Sequence, residues 1–238
     1  MALTRRDFGR NVIGGLAATT LGGVGACESG SDYASDAGLG GTDAGAGGTD
    51  GAASCIVYPQ QTEGPYYLDL DTLRRDITEG KAGASLEVVL QVQRADCTPL
   101  ADVALDLWHC DAAGVYSGFP GQIGGLDTTG ETFLRGTQLT DDEGIARFDT
   151  IYPGWYPGRT THIHFKVHTS TFTEATSQLY FPEDVTAEIY ETPPYDARGQ
   201  KNTSNQADTI SSANPTPLAM VTGNGSSGYV ASILITVA

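Results

Sequence analysis

The sequence predicts an all-β sandwich of mainly antiparallel strands, with long loops and one short helix. Three observations lead there. Apolar and β-branched residues recur at every second position in short runs, the period of a strand with one buried face. Clusters of Gly, Pro and Asp separate those runs, where a parallel sheet would need crossover helices. Only one stretch carries the start signals of a helix.

The first expected strand is 86–94 (LEVVLQVQR), which ends at the turn signal Asp96-Cys97-Thr98-Pro99. The second is 103–110 (VALDLWHC), which stops at Asp111-Ala112-Ala113-Gly114. Further strands are expected over 133–139, 145–148, 161–168, 177–181 and 229–237. The helix is 182–190 (PEDVTAEIY), with Pro and acidic residues at its start. Residues 191–228, rich in Pro, Asn, Ser and Gly, read as a long loop that covers a site or lies disordered. No internal repeat is visible.

A chain of 238 residues can form one domain with a full core and a tail. The formal net charge of −16 repels nucleic acid and anionic lipid headgroups, so neither is an expected partner. The tail carries an address. Thr4-Arg5-Arg6-Asp7-Phe8 precedes an apolar, small-residue run over 12–24, too short and Gly-rich to span a bilayer and suited to a signal peptide. The twin arginine resembles a Tat export signal, and Val24-Gly25-Ala26-Cys27 resembles a lipobox with Cys27 acylated as the mature N-terminus. Ordinary cleavage near Ala26 is the alternative. Residues 28–53 hold Gly, Ala, Ser, Thr and Asp with almost nothing to bury, the composition of a soluble tether. The expected organisation is therefore a signal with lipobox over 1–27, a tether over 28–53 and one domain over 54–238. The expected location is periplasmic or cell-surface, with membrane attachment only through the lipid at Cys27. Cys55, Cys97 and Cys110 then remain in an oxidising compartment, where one disulfide is expected. Cys55–Cys97 is the preferred pair, because Cys97 sits in a turn and Cys55 in a segment that needs pinning. The sequence leaves the other pairings open.

The sharpest chemical feature is His162-Ile163-His164. In a strand these two histidines project from one side, about 7 Å apart along the chain, as a chelating pair would. Sandwich histidines satisfied by ordinary hydrogen bonds show the same pattern. Tyr156 follows the turn Pro153-Gly154-Trp155, Arg159 lies between it and His162, and Tyr116 follows the turn at Ala113-Gly114. His109 reads as a surface or turn histidine. His168 continues the face of His162 and His164 but lies roughly 13 Å beyond His164, too far to share one ion.

Four motifs, in order, carry a family resemblance. These are Thr62-Glu63-Gly64-Pro65-Tyr66-Tyr67, LADVALDLWHCDAAGVYSG over 100–118, FLRGTQLTDDEGIARFDTIYPGWYPGRTTHIHFKV over 133–167, and Ser177-Gln178-Leu179-Tyr180-Phe181. Together they resemble the intradiol ring-cleavage dioxygenases. The resemblance implies Fe(III) held by Tyr116, Tyr156, His162 and His164, with Tyr156 and His164 axial. It implies catalytic roles for Arg159, Tyr156 and Gln178, and substrate binding by Thr62, Gly64, Pro65 and Tyr66. The implied reaction takes a catecholic substrate and O2 to a muconate-type diacid without a reductant or organic cofactor. Two phenolates, two imidazoles and a hydroxide suit the charge of ferric iron. The stretch between Tyr156 and His162 is shorter than in the catechol and protocatechuate enzymes, and a tether replaces the helical dimerisation region of the catechol enzymes, so a homodimer is left open. Two rival functions remain at this point. One is a metal-free transthyretin-like binding or adhesion module; the other is a zinc hydrolase, which phenolate ligands oppose.

Overall fold

The computed structural model describes residues 55–170 and 173–238. The expected signal, lipobox and tether lie outside the described residues. Alternating patterns become eight strands: β1 (Ser85–Arg94), β2 (Ala104–Trp108), β3 (Arg135–Leu139), β4 (Ile145–Ile151), β5 (His162–Ser170), β6 (Thr173–Tyr180), β7 (Met220–Asn224) and β8 (Gly228–Val237). They form two four-stranded sheets, ordered β4-β1-β8-β7 and β3-β2-β5-β6. Every pairing is antiparallel except β1 with β8.

The inward positions explain why the sheets stack. Leu86, Val88, Leu90 and Val92 of β1 join Ala231, Ile233 and Ile235 of β8 against Leu105, Leu107, Ile163, Phe165 and Val167 of the other sheet. Full burial of each large apolar side chain contributes about 1.5–3 kcal/mol before chain entropy is set against it.

The expected helix is present as α1 (Glu183–Ile189), with Glu183 and Asp184 in its first turn, where the helix dipole favours them. The segment 191–228 departs from the expected loop. It contains a 3-10 turn (Tyr195–Ala197), a second short helix α2 (Thr209–Ala213) and the edge strand β7. A five-residue helix leaves no apolar periodicity to read. The strand β7 (MVTGN) is largely exposed and held by backbone pairing with β8, so it lacks the alternation that marks a half-buried strand.

Cys55 and Cys97 form a disulfide with Cα atoms 5.4 Å apart, the preferred pairing, and Cys110 is a buried free thiol. Among the described residues no helix is long and apolar enough to cross a membrane.

The outward face of the β3-β2-β5-β6 sheet is not open to solvent. Residues 61–74 run across it as a strap, tied at the β6 side by Gln61 N donating to Thr176 O and at the β3 side by Arg74 N donating to Thr137 O. Beneath it, β5 presents His162, His164, Lys166 and His168 in one column, and the first three are buried.

Candidate metal centre

The two tyrosine-bearing turns are locked together through glycine. A Cβ on Gly154 would stand 2.4 Å from Ala112 O, and one on Gly114 would stand 2.2 Å from Trp155 O. Only residues without a side chain allow the turn after β2 and the turn after β4 to approach this closely. Asp111 shapes the first turn, its Oδ1 accepting from the N–H of Ala113 and Val115. The result brings Tyr116 and Tyr156 over the start of β5.

There the four expected donors meet. Tyr156 OH lies 3.1 Å and Tyr116 OH 3.4 Å from His162 Nε2, and His164 Nε2 lies 3.1 Å from the same atom. Tyr116, His162 and His164 are buried, and Tyr156 is partly so. His162 Nδ1–H donates to Thr160 O at 2.6 Å, which leaves the Nε2 lone pair aimed at the cluster. Trp108 stacks on the His164 ring at 5.0 Å and fixes its plane.

Burial sets the protonation states. Desolvation, and then the nearby Arg159 charge, pushes the His162 pKa down to about 3. Desolvation and the neighbouring His162 hold His164 well below the ordinary range. Both rings are therefore neutral lone-pair donors near pH 7. Desolvation raises the Tyr156 phenol to about 12 and Tyr116 well above its ordinary value. Neither phenol ionises here unless a cation stabilises the anion. Two phenol oxygens and two imidazole nitrogens, with no thiol or carboxylate among them, fit a hard trivalent cation better than zinc.

Arg159 borders the cluster. Its Nη1 lies 3.4 Å from His162 Nε2, Nε donates to Asp208 Oδ2 at 2.8 Å, and Nη2 donates to Gln178 Oε1. Gln178, paired with His164 across β5 and β6, is fully buried, and its Nε2 donates to Thr62 O at 2.9 Å. The strap completes the wall. Gly64 has φ +71°, and a Cβ there would meet His164 Cε1 at 3.4 Å. Pro65 is exposed in the turn between Gly64 and Tyr66. The Tyr66 ring stacks on Tyr116 at 4.4 Å and meets Phe119 edge-on at 5.2 Å.

Several further residues build the site without standing out in the sequence. Arg135, buried on β3, donates to Tyr66 O and to Ser117 O and Oγ, tying the strap to the Tyr116 turn. Lys166 bridges to Glu63 at 2.7 Å and lies over the Tyr67 ring at 3.8 Å. Its signal was its phase, two positions beyond His164. The signal for Asp208 was its place as the cap of α2, with Oδ1 accepting from the N–H of Ile210 and Ser211. His168 lies outside the cluster, held between Asp106 at 2.9 Å and Glu174 at 3.0 Å.

The expectation for His109 is also corrected. His109 is fully buried instead of lying at the surface. Its Nδ1–H donates to Cys110 O and its Nε2 accepts from Thr150 Oγ1, both at 2.8 Å. Both ring nitrogens thus find partners between the sheets, which makes the burial tolerable. A shallow apolar groove of about 930 Å³ lies on the outer face of the β4-β1-β8-β7 sheet, but its lining offers no histidine, carboxylate or cation.

A family model described as dioxygenase matches residues 62–192, which contain every one of these candidate ligands. The protocatechuate 3,4-dioxygenase beta chain of Burkholderia cepacia is 33% identical over 139 residues, covering 54% of this chain and 57% of that protein. The chain spans about half the length of the curated relatives it matches. An intradiol ring-cleavage dioxygenase from Tetranychus urticae superposes with a TM-score of 0.71 at 28% identity, over 76% of this chain and 94% of that one. The dioxygenase domain of a carbohydrate-binding fusion from Streptomyces sp. SirexAA-E does so with a TM-score of 0.56 at 31% identity, over 76% and 98%. The matched family segment exceeds half of the sequence and the shared fold extends over nearly all of the Tetranychus urticae enzyme, so the chain belongs to the intradiol ring-cleavage dioxygenase family.

Proposed function

We propose that this protein uses O2 to cleave a catecholic ring between its two hydroxylated carbons, giving a muconate-type diacid. In this reading Tyr116, Tyr156, His162 and His164 hold one Fe(III). The observation that supports it is the convergence of two phenol oxygens and two imidazole nitrogens on one point. A metal-free binding module has no use for that arrangement. When bound, ferric iron would supply a Lewis acid that holds both substrate oxygens and draws electron density from the ring.

The protein groups have distinct tasks. Tyr156 is the more accessible of the two phenols; held as a phenolate by the bound iron, it would accept a proton from the incoming catechol and become the neutral phenol that its buried surroundings favour. The Arg159 Nη1 donors face the same space and stabilise negative charge developing on the substrate, where losing such a donor costs about 10²–10³ in rate. Gln178 joins Arg159 to the Thr62 carbonyl, so one side chain links the guanidinium to the strap. Tyr66, stacked on Tyr116, offers an aromatic wall beside the ring, with Gly64 and Pro65 shaping the turn around it.

We also place the protein outside the cytoplasm, exported by the twin-arginine signal and anchored through Cys27. The Cys55–Cys97 disulfide supports an oxidising compartment. Changing Cys27 to Ser is expected to move the protein from the membrane to the soluble fraction.

Ferric iron added to the metal-free protein tests the enzymatic reading. The expected result is one iron per chain, a burgundy phenolate-to-iron band, and oxygen uptake with some member of a panel of catechol, hydroxyquinol and protocatechuate. A colourless protein, or one that takes zinc in preference, would overturn it.

A further inference from the structure

We propose that Asp208 is a positioning residue that sets the direction of the Arg159 guanidinium. The inference rests on the role given to Arg159 above. A guanidinium has five N–H donors in a rigid plane, so two fixed contacts determine where the third nitrogen points. Here Asp208 Oδ2 takes Nε at 2.8 Å and Gln178 Oε1 takes Nη2. The remaining nitrogen, Nη1, is left facing His162 Nε2 at 3.4 Å, at the point where the four donors meet. Asp208 is itself immobilised. It has no exposed surface, its Oδ2 also accepts from Thr160 N at 2.8 Å, and its Oδ1 caps α2. One carboxylate thus ties three things together: the arginine, the backbone leading into His162, and the segment that lies over the site. Gln178 alone would leave the guanidinium free to pivot about a single contact.

Two variants and one control separate positioning from general stability. Asp208→Ala removes both acceptors; Asp208→Asn keeps an acceptor for the α2 cap and so retains the fold. Asn205→Ala is the control. Asn205 holds the same segment by accepting from Thr160 Oγ1 and donating to Phe181 O, without touching Arg159. In iron-loaded full-length protein, both Asp208 variants are expected to keep the iron and the visible band. Their kcat should fall about tenfold to a hundredfold, as for a misplaced catalytic group, while KM stays within about twofold. The Asn205 control should lose little kcat.

A second reading needs neither iron nor turnover. In isotope-labelled, metal-free protein the Arg159 Nε–H should exchange slowly with water, and this protection should vanish in Asp208→Ala and persist in Asn205→Ala. Fast exchange already in the unmodified protein, or full kcat in a folded Asp208→Ala, would overturn the inference. Should the unmodified iron-loaded protein cleave no catechol, the proposed function fails, and Nε–H exchange alone then decides whether Asp208 orients Arg159.

Discussion

Buried histidines govern how this protein responds to acid. His109 is held down to about 4 and His162 to about 3, in both cases chiefly because burial penalises the charged ring, and His164 is shifted the same way. In the unfolded chain each returns to about 6.5. Between pH 6.5 and 4 the unfolded chain therefore binds protons that the folded chain refuses, and stability falls as pH falls through that window. His109 alone accounts for roughly 2–3 kcal/mol of this loss by pH 4.5. Metal-free His109→Gln, which can still donate to Cys110 O and accept from Thr150, is expected to lose that much less between pH 7 and 4.5 in denaturant titrations. Parallel pH profiles for the two proteins would rule the explanation out. The candidate ligand pair was legible because a strand puts His162 and His164 on one side. The burial of His109 was not, because it depends on Thr150 of a strand in the opposite sheet.

Among the elements, β5 and the strap do most to shape the site. The same alternation that presents His162 and His164 presents Lys166, which grips Glu63 and lies over Tyr67. Tyr67 in turn donates to Asp106, which also receives Thr137 and His168. These contacts pin the strap from behind, next to Gly64 and Tyr66. Glu63 is half-exposed, so its ion pair with Lys166 contributes at most about 1 kcal/mol to stability. Its effect should appear in binding instead. Lys166→Met is expected to raise KM for the catechol severalfold while iron content and kcat stay close to those of the unmodified protein. An unchanged KM would show that the strap holds its place without the lysine. The strap motif was legible as a sequence, but its partners on β2, β3 and β5 lie 39 to 103 positions away in the chain (Tyr67 to Asp106, Glu63 to Lys166), and no local pattern joins them.

At the level of the whole molecule, the sandwich separates stability from chemistry. The apolar side chains between the sheets hold the fold, and the polar column lies on the outer face of one sheet under the strap and the segment that bears α2. The Cys55–Cys97 bridge closes a separation of 42 residues, fastening the start of the described chain to the turn after β1. A loop of that size stabilises a domain by about 2–4 kcal/mol, largely by restricting the unfolded chain. Cys97→Ser is expected to lower the unfolding free energy by that amount without disturbing iron binding, because the bridge lies at the far sheet, beside the apolar groove. Loss of iron together with the bridge would contradict this separation.

The alternation of β-branched residues and the Gly-, Pro- and Asp-rich turns were enough to specify the sandwich and most of its strands, because strand period and turn chemistry are local properties. Four short motifs were enough to point to the family and to the residues that meet at its centre. Tertiary packing alone decided that Asp208 reaches Arg159, that Arg135 and Lys166 clamp the strap, that His109 lies between the sheets, and that 191–228 contains a helix and an edge strand. Each of these depends on partners distant in sequence or on backbone pairing that leaves no mark on composition, and such partners exist only once the sheets have closed on each other.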